Sequence, residues 1–181
     1  MSIARRLIAS TGGGAVEPFK FQIAVASGQT YKLPLFSVNG TQPNIIVSWG
    51  DSSESTITDT SDSDKFHTYT SGGTYEIQII GSLPGFRVEN DIYRTLYTAI
   101  LDWGNVGIRS INFHGCINIT TIPNATSGLG RVTIWNNTFR GTGITSIPSG
   151  LFDFSTNASQ FVDTFSFTQI LLISCVATII S

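Results

Sequence analysis

The sequence predicts an all-β chain, a β-sandwich followed by a short β-solenoid. Three observations carry this reading. The 181 residues include 21 Ser, 22 Thr, 23 Ile and 18 Gly against three Lys and four Glu, so β-branched and turn residues dominate while good helix formers are scarce. In the first half apolar residues alternate with polar ones, most cleanly where Tyr75, Ile77 and Ile79 enclose Glu76 and Gln78. In the second half Phe113, Phe139 and Phe165 recur at a spacing of 26 residues.

Residues 1–18 read as an arm. Gly12-Gly13-Gly14 in its middle is flexible by itself, so order in the arm requires an attachment, and a neighbouring chain is the expected one. Arg5 and Arg6 suit that role, because a planar guanidinium makes paired bonds to carboxylates. Leu7 and Ile8 would supply an apolar anchor. The stretch Leu7-Ile8-Ala9-Ser10 after the arginines is only four residues, short of the roughly 7–15 of a secretory signal. The expectation is a chain made in a cytoplasm without an export address of its own.

Residues 19–90 read as short strands between turns. Phe21, Ile23 and Val25 alternate with Gln22 and Ala24, and Ile45, Val47 and Trp49 follow the same period. Turn signals fall at Ser27-Gly28, Asn39-Gly40, Ser71-Gly72-Gly73 and Pro84-Gly85. Strands at this spacing suit a sandwich, with Trp49, Tyr75, Ile77 and Ile79 facing one core. Ser48-Trp49-Gly50-Asp51-Ser52, followed by His67-Thr68-Tyr69-Thr70-Ser71-Gly72-Gly73-Thr74-Tyr75-Glu76-Ile77, resembles the paired motifs of PKD domains over roughly residues 19–85. The resemblance implies an immunoglobulin-like β-sandwich used for spacing, display or adhesion, without an active site, and a structural hydrogen bond for His67. Ser52 departs from the family, which often has a second Gly there.

Residues 91–181 repeat. Ile119-Thr120-Thr121-Ile122-Pro123 returns as Ile144-Thr145-Ser146-Ile147-Pro148, and more loosely as Ile170-Leu171-Leu172-Ile173. One turn of such a repeat cannot bury its apolar face alone, so turns stack. Phe113, Phe139 and Phe165 should form one ladder, and Ile119, Ile144 and Ile170 another. The stretch Ile170–Ile180 is 11 residues and mostly apolar; it is too short for a bilayer, which needs roughly 20, and is expected to close the stack or meet another subunit. Ile100-Leu101-Asp102-Trp103-Gly104, Phe113-His114-Gly115-Cys116 and Ile144 through Asp153 are similar to the BspA-like surface leucine-rich repeats over roughly residues 98–168. Those repeats occur in bacterial surface proteins and phage virion proteins, often after a PKD-like domain.

Chemistry is sparse. A net charge of −2 with 12% charged residues excludes a broad nucleic-acid or anionic-membrane surface. Cys116 and Cys175 are too few for a disulfide framework or a structural zinc site and read as buried small hydrophobes. Asp51, Glu54 and the run Asp59-x-x-Asp62-x-Asp64 offer oxygen ligands of the kind calcium takes, but lack the spacing of an EF-hand loop. His67 and His114 have no third ligand nearby in sequence. No G-x-S-x-G elbow is present, so no catalytic residue, metal or cofactor is expected. Trp103 and Trp135 are weighed as sugar-stacking rings against packing inside the solenoid, which is the preferred reading.

Display-type modules, a missing export address and an arm that needs a partner converge on one expectation. The chain should be a non-enzymatic structural protein of a phage virion, a capsid decoration or cement protein. Its expected partners are the major capsid protein or another virion subunit, further copies of itself in the particle, and a host-surface glycan. The alternatives are a tail or fibre component, or a fragment of a bacterial surface adhesin.

Overall fold

The computed structural model describes residues 17–89, 91–125 and 127–170. The arm residues Arg5, Arg6, Leu7 and Ile8, and the tail from residue 171, lie outside the described residues. The chain is all-β, with 32% strand, mostly in antiparallel sheets, and no helix of seven residues or more among the described residues.

The first strand, β1 (Phe19–Val25), buries Phe19, Phe21, Ile23 and Val25 and leaves the residues between them more exposed, as its alternation requires. After it come β2 (Thr30–Lys32), β3 (Asn44–Ser48), β4 (Glu54–Ile57), β5 (Phe66–Thr68) and β6 (Gly73–Ser82). Then follow β7 (Gly85–Arg87), β8 (Tyr97–Asp102) and β9 (Ser110–Asn112). Five of these form one antiparallel sheet in the order β4-β3-β6-β1-β8, and β2 pairs with β5 in a second. Ile77 and Ile79 on β6, with Trp49 after β3, are fully buried in the core; Tyr75, at the start of β6, is half-buried and packs 4.3 Å from Tyr69.

The two motif segments meet. The Trp49 ring stacks on His67 at 4.8 Å with 7° between planes, and its Nε1 donates to Ser55 Oγ at 3.0 Å. His67 Nε2 lies 2.7 Å from Asp51 Oδ2, and the Tyr69 hydroxyl donates to the Trp49 carbonyl at 2.9 Å. Gly50 lets this turn lie against β6: at φ 84° a Cβ would stand 2.6 Å from the Glu76 carbonyl. Ser52, where a second Gly is common in PKD domains, takes the left-handed conformation a glycine would adopt, at φ 75°. Burial raises the Asp51 carboxyl, but hydrogen bonds from the Ser53 hydroxyl, His67 and the Ser53 N–H outweigh it and hold the group below its ordinary value.

From Gly85 onward the pairing changes character. β7 and β9 run parallel, with Phe86 opposite Ile111 and Arg87 opposite Asn112. Successive coils of chain then bond in parallel at 25-residue separation: Phe113 N–H to Thr138 O at 2.7 Å, Gly115 N–H to Arg140 O at 2.8 Å, Phe139 N–H to Thr164 O at 2.8 Å, and Gly141 N–H to Ser166 O at 2.8 Å. Side chains keep the same period. Phe113 lies 6.3 Å from Phe139 with 3° between planes, and Phe139 5.3 Å from Phe165 with 16°. Ile119 and Ile144 are fully buried, with Ile170 partly buried against the same core. Buried hydroxyls repeat too: Thr138 donates to Ile111 O at 3.3 Å and Thr164 to Trp135 O at 2.9 Å, each reaching back one coil.

Strand pairing crosses the expected boundary at residue 90 in both directions. β8 lies beyond it yet is an edge strand of the five-stranded sheet, while β7 lies before it and starts the parallel coils. The physical reason is aromatic packing. Phe86 contacts Phe19 at 5.2 Å, Phe21 at 5.3 Å, Tyr97 at 6.2 Å and Phe113 at 5.6 Å. One hydrophobic core therefore runs from Phe19 to Leu151.

Truncating Ile77 to Ala should lower unfolding free energy by about 2–5 kcal/mol. Ile117→Ala, at a position 58% exposed, should change it by no more than about 0.5 kcal/mol. Urea denaturation of both variants measures this, and equal losses would contradict the placement of the core.

Asp51→Asn tests the motif contact through pH. A carboxylate whose pKa is lower folded than unfolded contributes stability that is complete above the unfolded value of about 3.9 and lost as pH falls through the folded one. The native protein should therefore lose more stability than Asp51→Asn when acidified from pH 5 to pH 2. Parallel stability curves for the two proteins would show that the Asp51 contacts contribute nothing.

Candidate functional site

The residues singled out for chemistry are mostly committed to structure. Asp59 accepts from the Ser61 hydroxyl and N–H, which hold its carboxyl below the ordinary value. Asp62 caps the 3-10 turn Ser63–Lys65, accepting from Asp64 N–H at 3.0 Å. Among the described residues no three His, Cys, Asp or Glu side chains lie close enough to hold a metal ion. His67 makes the hydrogen bond to Asp51, and His114 Nδ1 lies 3.7 Å from Glu89 Oε1. Cys116 is fully buried, and that burial pushes its thiol up, away from the reactive thiolate; Cys175 lies outside the described residues. Tyr31 and Tyr97 share a buried hydrogen bond of 2.6 Å, and burial raises both hydroxyls.

Both tryptophans weighed for sugar stacking are fully buried, so neither offers a face to a ligand. Trp103 stands 6.4 Å from Phe19 and 6.2 Å from Phe139 and donates to Pro123 O at 3.1 Å. Trp135 packs against Phe139 and Phe152. Phe113 and Phe139 are fully buried and Phe165 half-buried, which places all three in the ladder that holds the coils together.

The prominent concave feature of the surface is a cleft of about 610 Å³ on the coil face. One wall is the turn bearing Phe36, Val38 and Asn39; Val38 and Thr41 bond reciprocally across Asn39-Gly40. The floor comes from three successive coils, through Arg87 and Glu89, then Arg109 to Asn112, then Arg131 to Asn137. The parallel pairing positions these residues. Arg87 stands opposite Asn112 in β7 and β9, and Asn137 lies one coil further on. Arg87 donates to Glu89 Oε2 at 3.0 Å and lies 4.8 Å above the Phe36 ring. Arg109 and Arg131 are exposed, and neither side chain has a partner among the described residues.

Sequence reasoning assigned none of these residues to a site, and marked Asn39 only as a turn. The signal available was the period itself: Arg87, Asn112 and Asn137 stand 25 residues apart, close to the phenylalanine spacing. Nothing local marks Arg109 or Arg131, because each stands alone among apolar and small residues. Comparison of the chain with known families, characterised proteins and solved structures finds no match.

Proposed function

We propose that the chain is a non-enzymatic structural protein of a phage virion, a capsid decoration protein held through its N-terminal arm, residues 1–18. The observation that carries this reading is the single core from Phe19 to Leu151. It makes sheet and coils one stiff body, able to hold its far end at a fixed distance from whatever the arm grips. In this reading the sheets form the immunoglobulin-like, PKD-like sandwich, and the coils form the leucine-rich-repeat-like solenoid. The contacts among Trp49, Asp51, His67 and Tyr69 support the first, since they join the two motif segments. The stacked phenylalanines support the second. Arg5 and Arg6 would bond carboxylates of the major capsid protein or another virion subunit, and Leu7 and Ile8 would anchor beside them.

The test is where the chain resides. Particles purified from a lysate of the encoding host should carry the chain in many copies, bound to the capsid after tails are removed. Recovery only with detached tails would make it a tail or fibre component, and recovery in the cell-wall fraction would make it an adhesin. Deleting residues 1–14 should give a folded protein that no longer co-purifies with capsids. Full occupancy by the truncated protein would contradict anchoring through the arm.

A further inference from the structure

We propose that the cleft on the coil face binds an acidic oligosaccharide, one whose sugar units carry carboxylates. The chain as a whole is slightly acidic, with a net charge of −2. This cleft nevertheless gathers Arg87, Arg109 and Arg131 against Glu89 alone. Glu89 is engaged by Arg87 at 3.0 Å. Arg109 and Arg131 are exposed and without partners among the described residues. A guanidinium presented in that way offers a planar fork that matches a carboxylate. Beside them Asn112 is only 3% exposed. Its Oδ1 accepts the His114 N–H at 2.8 Å, which leaves its Nδ2 with no partner among the described residues. That amide donor lines the cleft, where a ligand oxygen would accept from it.

The rest of the lining selects a sugar among acidic ligands. Ser110 and Thr133 contribute hydroxyls, groups that donate and accept as sugar hydroxyls do, while Asn136 and Asn137 beside them bond Gln160, Val162 and Arg140. Ile134, 48% exposed, adds an apolar patch for the face of a sugar ring. The volume lies in the range of small-ligand sites. Arg131 also lines a neighbouring depression of about 270 Å³ with Ser82 and Asn105, and Arg87 one of about 250 Å³ with Glu89 and the paired Lys32 and Asp91. A nucleic acid fits less well: Phe36 is the aromatic ring in the lining and Arg87 already covers it, so no stacking platform is open.

This inference goes beyond the proposed function and stands wherever the chain resides, so its failure leaves the particle experiment untouched. Isothermal titration of the full chain with tetragalacturonate and with sialyllactose, each against its neutral counterpart and against a tetraglutamate peptide, tests it. One carboxylated sugar should bind, and which one distinguishes a uronate from a sialate source. The neutral sugars should not bind. Arg109→Gln and Arg131→Gln should each weaken binding about tenfold, with unfolding midpoints unchanged because both side chains are exposed. The proposal is overturned by no binding to either carboxylated sugar, by equal binding of the neutral counterparts, or by affinity that neither substitution alters. Tetraglutamate binding as tightly as the sugar would overturn it too, and make the cleft a site for an acidic peptide.

Discussion

The burial of Phe86 is the contact on which the rest of the structure depends. Its ring meets β1 through Phe19 and Phe21, β8 through Tyr97, and the first phenylalanine of the ladder, Phe113. Aromatic side chains bury more area than any others, so a cluster of this size dominates the local energetics. Without Phe86, Tyr97 on β8 and Phe113 in the first coil would each lose a ring contact. A coil of about 25 residues has too little apolar area to fold alone, so each is stable only on its predecessor. The stack therefore begins at the sheet and propagates away from it.

That propagation explains how a polar cleft arises in a chain with few charges. Parallel pairing at a fixed period carries residues of equivalent position onto one face, and Arg87, Asn112 and Asn137 fall in line for that reason. The turn at Phe36 to Asn39 closes one side, since Phe36 N–H donates to Gly85 O at 3.1 Å and Leu35 bridges to Phe86. The cleft is thus a product of the same junction that holds sheet and coils together.

Much of the fold is legible in the sequence where one physical rule acts locally. Alternation placed Ile77 and Ile79 in the core, and the recurrence of phenylalanine announced the ladder. The period reaches the backbone itself: Gly115 and Gly141 have φ 78° and 65°, and Phe167, one repeat on, has φ 58°. There the sequence changes from Gly to a bulky exposed residue while the conformation persists, held by the coil before it through Gly141 N–H to Ser166 O. What was not legible depends on contacts distant in sequence. The division at residue 90 looked natural because the repeat motif starts later, but Phe86 pairs across it. Trp103 and Trp135 read as core in preference to ligand platforms, and their full burial agrees, but which rings they meet depends on three-dimensional packing. The cleft was invisible because Arg109 and Arg131 line one surface only when coils are stacked.

Sheet and coils, joined at the aromatic junction of Phe86, should unfold as one cooperative body. Trp49 reports on the sheet and Trp135 on the coils, and both are fully buried. Two single-tryptophan proteins, one keeping Trp49 and one keeping Trp135 with the other tryptophans changed to Phe, separate the signals. Each should be followed in urea by fluorescence and by circular dichroism. Within each protein, the fluorescence and dichroism transitions should coincide in midpoint and slope. A coil signal lost at lower urea while the sheet's dichroism persists, or the reverse, would show two independently folding parts and contradict that cooperativity.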